Sequence, residues 1–345
     1  MARSGIEWTE ETWNPIVGCS IISPGCRHCY AMGEAARLQR INAAARAKGL
    51  PAVAPQYDGT TLAVNGRPVW SGKLALAGDN ILMRPLKRKK PTTYFVNSMG
   101  DLFHEDAPDE WIDRAFTVMA LSPQHTFQVL TKRPDRMREY LTRLDQEPVS
   151  ETARRLAKAW PDNCRIPIEI VFPLPNVWLG VSCERQQEAN ERIPLLLQTP
   201  AAVRFISAEP LLGPIDLHEV IPDPLAWNLK HGFDGLDWVI CGGESGPGSR
   251  PMHPAWARSL RDQCLAAGVP FFFKQWGDWH PRHPSLTGVA EHCLAVNGAI
   301  SRGDELRGGG GGRERWIAMD RVGKKRAGRL LDGVTHDAMP EARAA

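Results

Sequence analysis

The sequence predicts an α/β fold on a mainly parallel sheet, either an open doubly wound sheet or a full or partial (β/α) barrel of the TIM type. Three observations carry this. Short runs of β-branched, aromatic and aliphatic residues recur along the 345 residues, helix-like stretches separate them, and the runs are near-continuously apolar. Strand and helix patterns in alternation imply βαβ units, and unbroken apolar runs are expected of strands covered on both faces. Right-handed crossovers leave those two arrangements.

In chain order, the first strand is expected at "NPIVG" (14–18), followed by a cysteine loop and a helix from Tyr30 to Lys48. Residues 50–90 hold several Gly and Pro with weak periodicity and are expected to form an insertion. Strands two and three are "TTYFVNSMGDLFHE" from 92 and "TFQVLTKRP" from 126, with a helix over 109–121 between them and another over 134–145 after them. Strand four, "NVWLGVSCE" from 176, leads into a helix over 184–198, and strand five is "VRFISAEP" from 203. Strand six, "LDWVICGGESG", precedes a helix over 254–267, and strand seven is "PFFFKQWG" from 270. The expected domains are a barrel over 1–280 containing the 50–90 insertion, and a C-terminal extension over 281–345 packing on it. The extension carries "RGGGGGR" at 307–313, a flexible loop by composition, and a basic segment.

The opening "MARSGIEWTEETW" lacks the basic and apolar regions of a signal peptide, and no stretch approaches the roughly 20 apolar residues of a membrane span. A cytoplasmic protein that does not enter membranes is expected. Net charge is +3, too mild to announce a nucleic-acid protein. However, "RPLKRKK" (84–90) and "RVGKKRAGR" (321–329) hold ten of the 42 basic residues. They are either solvated surface or a phosphate-facing surface.

Ligands of parallel α/β folds bind at the carboxyl ends of the strands. The residues there are Asn97, Ser98, Asp101 and His104 after strand two, and Thr131, Lys132 and Arg133 after strand three. Ser182 and Glu184 follow strand four, Ser207 and Glu209 strand five, Gly242, Gly243 and Glu244 strand six, and Lys274 strand seven. Ser, Asp and Glu commonly cap a following helix, but this set of carboxylates and cations together with three thiols exceeds what capping requires. The glycines of "GGES" would let backbone approach a ligand.

The thiols lie in "GCSIISPGCRHCY", at Cys19, Cys26 and Cys29, three of eight cysteines. In a reducing compartment such a cluster argues for metal or redox chemistry. Cys164, Cys183, Cys241, Cys264 and Cys293 are scattered and read as small buried apolar residues. A structural zinc wants four ligands, and the fourth would have to come from far away; a catalytic zinc with an open position stays open. A disulfide would leave one thiol over. A [4Fe–4S] cluster on three thiolates keeps one iron free to bind something else, for which sulfur ligands are suited. The absence of a glycine-rich dinucleotide fingerprint after strand one lowers the open-sheet reading.

The cysteine loop, the aromatic Tyr30 directly after it and the parallel α/β pattern resemble the radical S-adenosylmethionine superfamily. More closely, "TWNPIVGCSIISPGCRHCYA", "FVNSMGDLFHE", "FQVLTKRPDRM", "VWLGVSCE", "RFISAEPLLGPI", "VICGGESGPGSRPM", "FFFKQWG" and "RVGKKRAGRLLDG" resemble, in order, the phage-associated three-cysteine-motif proteins, largely without assigned function. The resemblance spans most of residues 8–333 and implies a full or partial barrel. It implies a [4Fe–4S] cluster on Cys19, Cys26 and Cys29, S-adenosylmethionine as cofactor, and an external electron donor. By position, Tyr30, Asn97, Ser98, Asp101, Lys132, Ser182 and Glu209 are the candidates for holding cofactor, with Lys132 or Arg133 meeting its carboxylate. Lys132, Glu209 and Glu244 are the candidate catalytic groups. The chain departs from the superfamily's usual C-x3-C-x2-C by having C-x6-C-x2-C, and its Gly-Gly-Glu follows strand six instead of strand two.

The basic runs and twelve tryptophans suggest a nucleic acid or nucleotide substrate, modified or repaired. Two other readings remain. One is a zinc-stabilised nucleic-acid-binding module without catalysis; the other is a barrel hydrolase using Glu209 and Glu244 as acid and base.

Overall fold

The computed structural model describes residues 4–146, 151, 171–221, 235–282, 290–302 and 316–341. Cys164 and the 307–313 glycines lie outside them. The chain divides into two units, one running through Val181 with Gln198–Arg204, the other comprising Ser182–Leu197 and Phe205–Glu341.

The strands and helices are β1 (Glu11–Trp13), β2 (Ile16–Val17), α1 (Tyr30–Ala47), β3 (Thr61–Val64), β4 (Arg67–Trp70), β5 (Ala75–Leu76), α2 (Asp79–Leu82), α3 (Arg84–Lys87), β6 (Thr93–Val96), α4 (Asp109–Ala120), β7 (Thr126–Thr131) and α5 (Pro134–Gln146). They continue as β8 (Val177–Ser182), α6 (Gln186–Leu197), β9 (Val203–Ala208), β10 (Trp238–Gly242), α7 (Pro254–Ala267), β11 (Phe271–Gln275), β12 (Trp279–Pro281), β13 (His292–Ala295), β14 (Ile300–Arg302), β15 (Trp316–Arg321) and α8 (Lys324–Ala327). A seven-stranded sheet has the order β1-β6-β7-β8-β9-β10-β11, and its registered pairs are parallel. The fold is therefore α/β with a parallel sheet, as expected. Among the described residues, β1 and β11 are the ends of the order and do not pair with each other.

Local sequence explains the elements. Every residue of β8, β9 and β10 is buried, which is why these strands are apolar without alternation. Helix α4 opens with Asp109 and Glu110, favourable beside the positive end of the helix dipole, and buries Ile112, Ala115, Phe116 and Met119 at helical spacing. Helix α5 starts on Pro134, whose missing N–H costs nothing in a first turn, and buries Met137, Tyr140, Leu141 and Leu144.

The first strand needs correction. The main-sheet strand is Glu11–Trp13, in register with Tyr94–Val96, and not Asn14–Gly18. Pro15 cannot donate to a ladder, and beyond it Ile16–Val17 turns away to pair antiparallel with β5. The 50–90 segment contains the β3–β4 hairpin, turned by Asn65 and Gly66, both at positive φ as a tight hairpin turn requires. In the second unit β12-β15-β13-β14 form an antiparallel sheet, so the region expected as an extension is itself a sheet. There the chain from Arg321 onward bonds to the strands: Trp276 N–H donates to Gly328 O at 3.2 Å and Phe273 N–H to His336 O at 2.9 Å.

Candidate metal centre

Gly18 sets the start of the thiol loop. Its φ is +91°, and a Cβ there would lie 2.1 Å from Lys73 O, so only glycine fits. The loop then makes a 3-10 turn over Pro24–Cys26, and Cys29 becomes the N-cap of the 18-residue helix α1. The Cys29 side chain makes no cap hydrogen bond, but the backbone N–H groups of Ala31 and Met32 stand near its sulfur and favour the thiolate. Val17, Ala31, Met32, Ala35, Tyr57, Trp70 and Met99 form an apolar bed on which Cys19 and Cys29 are packed.

The three sulfurs lie within electrostatic reach of one another. Burial pushes the Cys19 thiol up to about 12, with Asp101 and the other two thiols adding to the rise and Arg133 opposing it. Burial also raises Cys29; the N–H groups and the Lys132 ammonium oppose that rise, and Cys26 adds to it. Among the described residues no three His, Cys, Asp or Glu side chains stand close enough to hold one metal ion. Tetrahedral thiolates on a single zinc sit about 3.8 Å apart, whereas thiolates on separate irons of a cluster are spaced more widely. All seven described cysteines are free thiols. Cys183, Cys241 and Cys264 are buried, as expected of small apolar residues, whereas Cys293 is half-buried.

Around the loop stands a polar network, all within the first unit. The Asp101 carboxylate accepts from Phe103 N at 3.1 Å and Thr131 Oγ1 at 2.6 Å on one oxygen, and from Lys132 N at 3.2 Å and Arg133 Nη1 at 3.0 Å on the other. Four donors fill its lone pairs, so Asp101 ties the loops after β6 and β7 together. Arg133 likewise uses all five N–H groups: Nε on Glu105, Nη1 on Asp101 and Cys19 Sγ (3.7 Å), Nη2 on Ser20 Oγ and Glu105 Oε1 (3.5 Å). All five are thus committed within the protein. Burial would raise the Glu105 carboxyl, but the Arg133 hydrogen bond and charge hold it at about 2. His104 Nδ1 accepts from Asp106 N at 3.1 Å, which leaves Nε2 to donate to Ser20 Oγ at 2.9 Å.

Of the remaining candidates in this unit, Tyr30 Oη donates to Ser98 O at 3.0 Å and Ser98 Oγ to Asn14 Oδ1 at 3.1 Å. Asn97 sits at φ +60°, its Oδ1 accepting from Ile16 N at 3.4 Å. Its Nδ2 is buried and has no partner, and an unmet buried donor costs about 1–3 kcal/mol.

In the second unit, Glu209 Oε2 accepts from Lys274 Nζ at 3.2 Å and Ser207 Oγ at 3.4 Å. Glu244 is gripped by Arg250, which donates to it from the backbone N and from Nε, each at 2.8 Å. Ser182 is buried, its carbonyl accepting from Arg192 Nη1 at 2.8 Å. Glu209 and Glu244 thus take different partners. A Cβ on Gly243 would lie 2.0 Å from Trp276 O and one on Gly242 2.2 Å from Glu209 Oε1, so the glycines of "GGES" make room for a neighbouring loop's backbone and for the Glu209 side chain.

The sequence reading gave no role to Ser20, Glu105 or Lys274. Strand-end position marked Lys274, His104 and Arg133, but side-chain pairings among loops leave no periodic signal. Among the described residues eight tryptophans are buried and belong to the core. The basic runs are partly structural, since Arg88 pairs with Glu11 at 2.7 Å and Arg321 with Asp278 at 3.0 Å. Lys87, Lys89, Lys90, Lys324, Lys325 and Arg326 are exposed.

Fold and site together describe an α/β protein with a parallel sheet and a three-thiol loop at the entrance to its first helix. The chain belongs to a family of proteins of unknown function, DUF5131, whose model matches residues 3–340. No curated protein and no solved structure matches it.

Proposed function

We propose that this chain is a radical S-adenosylmethionine enzyme, with its parallel sheet wound as a partial (β/α) barrel, acting in the cytoplasm. The observation that carries the reading is the loop itself: three thiols, Cys19, Cys26 and Cys29, mutually in electrostatic reach, with no fourth cysteine near them among the described residues. The donor set fits a cluster. It is all sulfur, and backbone N–H groups, Arg133 and Lys132 stand near enough to offset thiolate charge. When bound, a three-thiolate [4Fe–4S] cluster supplies an electron to S-adenosylmethionine and so starts carbon-radical chemistry.

The chain's own residues would hold and orient. Tyr30, Asn97 and Ser98 line the loop after β6, and the unmet Asn97 Nδ2 is a ready donor. Lys132, whose charge reaches Cys29, is the cation for a cofactor carboxylate. Glu209, fixed by Lys274 and Ser207, is an acceptor for a ribose or substrate hydroxyl. Asp101 positions the strand-end loops. Exposed lysines at 87, 89, 90 and 325 favour a nucleic acid or nucleotide substrate, to be modified or repaired, and an external donor supplies the electron.

The test is anaerobic reconstitution with iron and sulfide, then electron paramagnetic resonance of the reduced protein with and without S-adenosylmethionine. A [4Fe–4S]⁺ signal that shifts with the cofactor and vanishes in Cys26→Ala is expected. Tight binding of one zinc with no iron uptake would leave a structural clasp and end the radical reading.

A further inference from the structure

We propose that Arg133 is the positioning residue that presents Cys19, the ligand at the far end of the long first gap. The inference rests on the cluster reading above but stands on geometry of its own. Cys29 is fixed by the start of α1 and Cys26 by a 3-10 turn, whereas Cys19 opens an arm whose next apolar residues, Ile21 and Ile22, are 47% and 43% exposed. Beyond Cys19, which packs on the apolar bed, the next two side chains of the arm contribute little burial to hold it. Gly18 anchors one end, through its N–H to Met99 O at 3.2 Å. The other grip is the Arg133 fork, which takes Cys19 Sγ and Ser20 Oγ with its two terminal nitrogens.

That fork is itself fixed from behind. Asp101 holds Nη1 at 3.0 Å, Glu105 holds Nε, and His104 Nε2 closes on Ser20 Oγ at 2.9 Å. With a side-chain exposure of 7% for Arg133 and 6% for Asp101, the pair is shielded from solvent, where charge-assisted bonds are strongest. The fork geometry is what matters. A lysine supplies a point charge and cannot span two consecutive residues while bonding two carboxylates. Arg133 thus acts through Cys19, setting where that sulfur stands and placing a positive charge beside it.

The test uses Arg133→Gln, Arg133→Lys and Ser20→Ala in the full chain. On apo-protein, hydrogen–deuterium exchange is followed for peptides covering the Cys19 arm and the middle of α1. On reconstituted protein, iron and sulfide per chain and the resonance spectrum are read. Loss of two charge-assisted bonds is expected to speed exchange of the arm by about tenfold or more in both Arg133 variants while α1 is unchanged. Those variants should hold less than a full cluster, or one with shifted g-values. Ser20→Ala, which removes one grip and leaves the buried ion pair, should speed the same peptide to a lesser degree even if an Arg133 variant fails to fold. Wild-type exchange in the arm of Ser20→Ala and of any folded Arg133 variant overturns the proposal, as does an Arg133→Lys protein indistinguishable from wild type. If wild-type protein takes up no iron, the radical reading falls, and the exchange of the arm alone decides the role of Arg133.

Discussion

Gly242, Gly243 and Gly277 show how much of the second unit's chemistry depends on the absence of a Cβ. One added to Gly242 would lie 2.2 Å from Glu209 Oε1, the end of a flexible side chain. Gly242→Ala should therefore push Glu209 off Lys274 at a modest cost of about 1–2 kcal/mol. A Cβ on Gly243 would meet Trp276 O at 2.0 Å, and one on Gly277, at φ +80°, would meet Glu244 O at 2.1 Å. Backbone cannot step aside, so Gly243→Ala should cost more, about 3 kcal/mol or above. Gly33 is the control, exposed on α1 with nothing within 4 Å of its missing Cβ. Gly33→Ala should stabilise by about 0.5–1 kcal/mol. Denaturant melts of the three variants check the order; a Gly243→Ala protein as stable as wild type would contradict the close approach of the two strand-end loops.

Helix α7 carries a pH dependence at its N-terminus. His253 is its N-cap, Nδ1 accepting from Ala255 N at 3.0 Å, so the folded state requires that nitrogen unprotonated. Burial, and secondarily Arg258, lowers the His253 pKa from 6.5 to about 4. Between those values the unfolded chain binds more protons than the folded one, so stability rises with pH there. The contribution is present above pH 6.5 and is lost as pH falls through about 4. We expect a loss of about 3 kcal/mol across that window, read by thermal melts, and a flatter profile for His253→Asn, which caps without titrating. At the other end Gly268 stands at φ +67° in the left-handed conformation that closes helices. Both ends were legible in the sequence, because the apolar spacing stops at Ala267 before a glycine. Continuous apolar runs likewise marked β6 to β11, since burial on both faces leaves that record in composition. What escaped was decided by long-range pairing. "NPIVG" has strand composition, but Pro15 and the β5 partner take it out of the main sheet. Asn65-Gly66 and Asn297-Gly298 are hairpin signals, at positive φ in three of the four positions, that weak periodicity around them concealed. In the site, the three thiols were visible as spacing, while the Arg133 grip depends on side chains over a hundred positions apart.

The second unit is completed by the chain's last described segment. Trp238 Nε1 donates to Ala338 O at 2.8 Å and Trp276 Nε1 to Leu330 O at 2.9 Å, and both rings are buried. Phe272 bridges to Asp337, and Arg329 lies over the Phe272 ring with 5.1 Å from its guanidinium carbon to the ring centre. Residues 316–321 add β15, paired to both β12 and β13. The segment therefore provides partners for buried donors of the parallel strands as well as cover for their aromatic side chains. A chain ending at Arg282 would leave two indole and two backbone N–H groups of this region without those partners. At about 1–3 kcal/mol for each unmet buried donor, the loss approaches the roughly 5–15 kcal/mol that holds a domain folded, before any exposed aromatic surface is considered. Such a chain is expected to aggregate or to lose its near-ultraviolet aromatic circular dichroism. Arg329→Ala, which removes one ion pair and one ring contact, should cost only about 1–2 kcal/mol. A truncated protein that remained monomeric with native aromatic ellipticity would mean that the parallel strands satisfy their donors by other means, and that residues 316–341 are an appendage instead of part of the unit's core.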